Sequence, residues 1–169
     1  GTSFRGIQQI DNDILYVGQK ENRIAVFTLG KQENYSGEDL RTNEVSIFIK
    51  KNLTDANRAY LTNITSFYYD DKFGFSYTKT SETENTEGYV VDTKFGAWAK
   101  WDGPPMCMNH YTVYDDGTNV HLYGGSNTTG YMWELFKNDR NDNGSSFRSL
   151  VGTKHYNAEL FNVEKIWRN

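Results

Sequence analysis

Asp13-Ile-Leu-Tyr-Val-Gly18 aligns without gaps with Asn119-Val-His-Leu-Tyr-Gly124, and at the same spacing Ile24-Ala-Val-Phe-Thr-Leu29 aligns with Gly130-Tyr-Met-Trp-Glu-Leu135. Each copy reads as an Asp or Asn turn, a strand ending in Gly18 or Gly124, a short polar turn, and a second strand carrying Phe27 or Trp133. A looser copy lies between them: Lys72-Phe-Gly-Phe-Ser-Tyr77, a polar loop over 78–87, then Gly88-Tyr-Val-Val-Asp92 and Phe95-Gly-Ala-Trp98. Phe73, Phe75 and Tyr77 fall on one face of this strand, with Lys72, Gly74 and Ser76 on the other, so the alternation predicts half burial.

Another strand-like stretch precedes each hairpin, at Phe4 to Ile10, Leu61 to Tyr69 and Met106 to Tyr114. Repeated antiparallel units of three to four strands predict an all-β, propeller-like array of three to four small sheets, or blades, with a β-sandwich as the alternative. The blades fall near 4–30, 60–101 and 106–136, with 145–167 starting a further strand pair, all within one β-repeat domain over 1–169. Closed propellers take about four to eight blades, so a ring built from this chain would be short or incomplete. The start at Gly1-Thr2-Ser3 and the end within the apolar Lys165–Asn169 run suggest a fragment of a longer chain.

One segment departs from the pattern. Val45, Phe48, Ile49 and Leu53 have the spacing of an amphipathic stripe, which predicts one short helix near 42–53, capped by Thr42 or Asn43 with Glu44 in its first turn. The competing reading is a strand from Val45 to Ile49.

The 169 residues carry 22 acidic and 18 basic side chains, a net charge of −4, and include 12 Tyr, 10 Phe and 4 Trp. The core is therefore expected to be mainly aromatic, and the composition argues against disorder. A mildly acidic chain with no basic stripe lacks the footprint of direct nucleic-acid binding, and no apolar run is long enough to predict a membrane span. The single cysteine, Cys107, makes no internal disulfide and reads as a small hydrophobe between Met106 and Met108.

The chemistry-bearing residues form no catalytic pattern. His110, His121 and His155 lack the spacing of a zinc site, and His121 reads as a packed or rim residue between Val120 and Leu122. Asp139, Asn141, Asn143 and Gly144 match the opening of a calcium loop, but Leu150 stands where an EF-hand needs its bidentate Glu. A looser calcium site is therefore weighed against a plain Asx turn. Asp11-Asn-Asp13, Asp70-Asp71 and Asp115-Asp116-Gly117 read as turns. The chain is accordingly expected to be no enzyme and to need no cofactor, with calcium the only candidate.

The stretch from Gly88-Tyr-Val-Val-Asp92 to Trp98, followed by Tyr123-Gly-Gly-Ser, Gly130-Tyr-Met-Trp-Glu-Leu135, Asp142-Asn-Gly144 and Gly152-Thr-Lys154, resembles the propeller-like repeats of neck and tail proteins of tailed bacteriophages. The resemblance spans roughly 60–157. It implies a virion structural protein of the portal-to-tail junction or tail tube, assembled in the bacterial cytoplasm and working through contacts with other virion proteins or with itself. Trp101, Phe136, Phe161 and Trp167 lie outside the clearest hairpin cores and are the candidate contact residues. The alternative is a glycan-binding module, with loops 78–87 and 125–130 forming the site and Tyr89, Trp98 or Trp101 stacking on sugar. A hydrolase with paired carboxylates ranks third.

Overall fold

The computed structural model describes residues 3–34, 37–102, 108–126 and 130–137, with side chains described at all of these except 31–34, 37–40 and 102. The first hairpin forms where the repeat places it. β2 (Asp13–Lys20) and β3 (Arg23–Asn34) pair antiparallel, flanked by β1 (Ile7–Ile10) and β4 (Gly37–Glu44), in the order β1-β2-β3-β4. The middle sheet repeats this meander with β5 (Thr65–Tyr69), β6 (Lys72–Thr78), β7 (Asn85–Asp92) and β8 (Trp98–Asp102). The third contains β9 (His110–Asp115), β10 (Val120–Gly125) and β11 (Met132–Leu135). The first strands lie side by side, β1 next to β5 and β5 next to β9. The described chain is thus all-β, built from three blade-like antiparallel sheets in succession.

Two apolar cores hold residues 3–136 together. Leu15, Val17, Ile24 and Val26 of the first blade pack against Phe73, Phe75, Tyr77, Tyr89 and Val91 of the second, with Leu53, Ala56 and Ile64 between them. Phe67 and Trp101, on the opposite face of the second blade, pack against Met108, Leu122 and Leu135. Burying any one of these large side chains contributes about 1.5–3 kcal/mol.

The second blade is therefore covered on both faces, and β6 is buried from Phe73 to Thr78. This corrects the half-buried reading: Gly74 lies beneath the ring of Phe67, and the hydroxyl of Ser76 meets that of Tyr111 from β9. The turn into β6 uses Asp70 and Asp71 at φ 48° and 57°, the left-handed pair that a two-residue hairpin requires.

The 42–53 segment contains no α-helix. Thr42, Asn43 and Glu44 end β4, opposite Leu29, Thr28 and Phe27, and Val45 N–H donates to Val26 O at 2.9 Å. Short 3-10 turns follow at Ile47–Ile49 and Asn52–Asp55. Only the Leu53 end of the expected stripe is fully buried, while Phe48 is 89% exposed. Strand pairing takes the residues that would have capped a helix, and β-branched neighbours weaken what remains. The first blade consequently extends past residue 30 to Glu44.

The two matching hairpins also differ in register. Gly18 faces Ala25, but Gly124 faces Trp133, the residue aligned with Phe27, so the third blade's turn takes up two more residues. A shift of two leaves every side chain on its original face. The strand pair expected over 145–167 lies outside the described residues.

Candidate functional site

Because each flanking blade covers one face of the middle blade, the first and third blades each turn a second face away from these cores. On the first blade, cross-strand pairing puts Ile7, Ile14, Tyr16, Phe27 and Leu29 on that face. Ile7 and Ile14 are 50% and 37% exposed, and the others are half-buried. Tyr16 and Phe27 stack with centroids 5.3 Å apart, and the Phe27 ring extends over Gly18, where a Cβ would meet it at 2.9 Å. The glycine thus lets a wide ring lie flat against the sheet.

One end of this face is closed by ions. Glu44 accepts from Arg23 at 2.6 Å and from Lys20 at 2.8 Å. Desolvation pushes the Glu44 carboxyl up, but the hydrogen bonds and charges of Lys20 and Arg23 outweigh it and hold the group below its ordinary value. Ser46 joins this cluster to the strand, donating to Glu44 and accepting from Val26 N–H at 3.0 Å.

The corresponding face of the third blade is polar. It carries Thr112, Tyr114, His121, Tyr123 and Glu134 by strand pairing. His121 is held between two carboxylates, with Nδ1 2.6 Å from Glu134 and Nε2 3.3 Å from Asp116. The hydrogen bond to Glu134 and then that to Asp116 raise its pKa. Asp116 itself is lowered, first by the N–H groups of Asn119 and Thr118 and then by His121. Of the packed and rim readings of His121, the half-buried, ion-paired side chain fits the rim one, because a strand places Val120 and Leu122 on the other face.

A third polar cluster lies inside the second blade. Glu87 is buried, and its Oε1 accepts from Tyr77 at 3.2 Å and Tyr89 at 3.1 Å, while Oε2 faces Lys79 and Lys100 at 3.3 and 3.5 Å. Both carboxylate oxygens are thus engaged by neighbouring side chains. Desolvation and the Glu87 charge push the Tyr77 phenol far above the normal tyrosine range.

The residues expected to make partner contacts divide in two. Trp101 is 9% exposed and belongs to the second core, so the surface role assigned to it is corrected. Its place in β8 opposite Gly88 turns the indole inward. Phe136 is 42% exposed, but its ring packs against Trp101, Phe67 and Tyr69 with centroids 5.2, 5.8 and 6.1 Å away. Phe161 and Trp167 lie outside the described residues, as do the calcium candidates Asp139, Asn141 and Asn143 and the cysteine, Cys107. Tyr89 and Trp101 are buried and so are not available to stack on a sugar, while Trp98 is half-buried. Among the described residues, no group of three or more His, Cys, Asp or Glu is arranged to hold a metal, and no helix is long and apolar enough to cross a membrane.

The apolar face of the first blade was missed as a site, although its signal was present. Ile14-Leu15-Tyr16-Val17 is a continuous apolar run, the pattern of a strand covered on both sides. No family model, curated protein or solved structure matches this chain.

Proposed function

We propose that the protein is a non-enzymatic assembly component of a phage or prophage particle, which attaches to neighbouring subunits through the outer face of its first blade. The observation carrying this reading is the contrast between two blades of one chain. The middle blade has both apolar faces covered by other blades, whereas the first blade leaves Ile7 and Ile14 half-exposed beside Tyr16, Phe27 and Leu29. In a repeat array the terminal unit needs a polar outer face if it ends the array, and this one is apolar. Its natural cover is a further sheet, supplied by a second copy of this chain. The resemblance of residues 60–157 to neck and tail repeats supports the virion as the setting.

Light scattering on the full chain and on an Ile7→Lys, Ile14→Lys variant tests the reading. Both side chains are exposed, so the variant is expected to fold. The unmodified chain should show a mass above 19.5 kDa that grows with concentration, and the variant should remain at 19.5 kDa. A variant that associates as the unmodified chain does, or an unmodified chain that stays monomeric at every concentration, would sink the proposal.

A further inference from the structure

The starts of the three first strands converge on a small polar constellation away from the apolar face. Arg5, two residues before β1, places Nη1 3.3 Å from Nε2 of His110, the first residue of β9. Arginine only donates, so Nε2 is the acceptor and the imidazole carries its proton on Nδ1 in this arrangement. The backbone under the guanidinium is fixed from the second blade: Ser66 Oγ donates to Arg5 O at 3.0 Å, and Gln8 Nε2 donates to Ser66 O at 2.9 Å and reaches its hydroxyl at 3.2 Å. Ser3 Oγ accepts from Arg5 N–H at 3.2 Å, and the guanidinium carbon lies 5.4 Å from the centroid of the Phe4 ring, which is 79% exposed.

Lys20, Arg23, Lys72, Lys79, Lys94 and Lys100 each lie within ion-pair distance of a carboxylate, whereas among the described residues none reaches Arg5, Lys50, Lys51 or Arg58, and what sets Arg5 apart from these is the imidazole beside it. Its one polar side-chain partner is a second potential cation, an arrangement that offers the guanidinium nothing to neutralise it. A guanidinium has five N–H donors in a planar fork, and a single neutral imidazole accepts only one of them. The guanidinium is exposed, on a backbone anchored by Ser66 of the second blade and by Ser3.

We propose that Arg5 and His110 form a binding site for one oxyanion, a carboxylate or a phosphate. The anion accepts from the N–H groups of the guanidinium fork that the imidazole leaves open, with the exposed Phe4 flanking it. Charge-assisted pairing of this kind is directional and roughly twice as strong as a neutral hydrogen bond. The site is built from the strand starts and stands independently of the apolar face of the first blade.

Nuclear magnetic resonance titration of the full chain tests it, with sodium acetate and inorganic phosphate as separate probes at constant ionic strength. The expected result is a saturable shift of the His110 ring and of the Arg5 and Gly6 amides. Arg5→Gln should abolish it, and Arg5→Lys, which keeps the charge and loses the fork, should weaken it about tenfold. Tighter saturation by acetate identifies a carboxylate site and tighter saturation by phosphate a phosphate site; either supports the proposal. Both substitutions are on an exposed side chain, and an unchanged melting curve verifies that the fold survives. If neither anion saturates, or if Arg5→Gln titrates as the unmodified chain does, the proposal is overturned.

Discussion

The ring of Phe67 covers Gly74 so closely that a Cβ built on the glycine would lie 2.2 Å from Cζ. Phe67 is itself held by Trp101 and Tyr111, with centroids 5.4 and 4.8 Å away, so the ring has no room to withdraw. Gly74→Ala should therefore lower stability by about 3 kcal/mol, as overpacked cores do. Denaturant titration checks this, with Gly74→Ala expected to unfold at a clearly lower midpoint. An unchanged midpoint would mean that the ring moves aside freely.

Truncating Trp101 separates a core role from a contact role. Trp101→Ala is expected to cost about 3–5 kcal/mol by opening the second core. Phe95→Ala, at a residue 83% exposed, should stay within about 0.5 kcal/mol. Comparable melting temperatures for the two variants would contradict the placement of Trp101.

His121 links the third blade's first turn to its edge strand, and this link depends on pH. Its pKa is raised in the folded protein by Glu134 and Asp116, so protonation favours the native state. The stabilisation is complete below the unfolded histidine value and fades as pH rises through the raised folded one. Thermal melts of the unmodified chain and of His121→Gln should differ most in mildly acidic buffer and converge at alkaline pH. A gap that widens with pH would have the wrong sign for this pairing.

Tyr77 offers a second titration, of opposite biological range but the same sign. Burial and the Glu87 charge keep its phenol protonated well beyond the ordinary tyrosine pKa. Stability should therefore decline once pH exceeds the unfolded tyrosine value, because only the unfolded chain then releases that proton. Phenolate absorbance at high pH is expected to show one Tyr77-dependent component that appears only with unfolding and vanishes in Tyr77→Phe. The same variant should lose about 1.5–3 kcal/mol at neutral pH, the net value of a hydrogen bond to a charged acceptor such as Glu87. Ionisation of Tyr77 in the intact fold would refute the buried placement.

The blades were legible because each repeats the same turn, strand and glycine, and because alternation in Phe73, Phe75 and Tyr77 is unambiguous. β4 was not legible, since Gly37-Glu-Asp-Leu-Arg-Thr-Asn-Glu44 is a polar edge strand without alternation, the composition that protects a sheet edge. Its loss from view let the chance spacing of Val45, Phe48, Ile49 and Leu53 suggest a helix. The two-residue difference in hairpin register leaves the face pattern unchanged and so has no sequence signature. For the sites, the run Ile14-Leu15-Tyr16-Val17 announced two-sided burial, whereas the inward turn of Trp101 depends on β8 pairing with β7, which local pattern does not reveal. The meeting of Arg5 with His110 joins residues 105 positions apart and has no local trace either.

Each blade is an uninterrupted stretch of chain, and this bears on synthesis. Pairing within a blade is local, so the first sheet can form its hydrogen bonds soon after Glu44 leaves the ribosome. Its inner face is another matter, because Leu15, Val17, Ile24 and Val26 meet their partners only once Phe73 to Val91 has been translated. Until then the nascent sheet exposes apolar surface on both sides, a state prone to mispairing with other nascent chains. Slowing translation between Glu44 and Phe73 should therefore reduce soluble yield, while the same pause after Val91 should be tolerated.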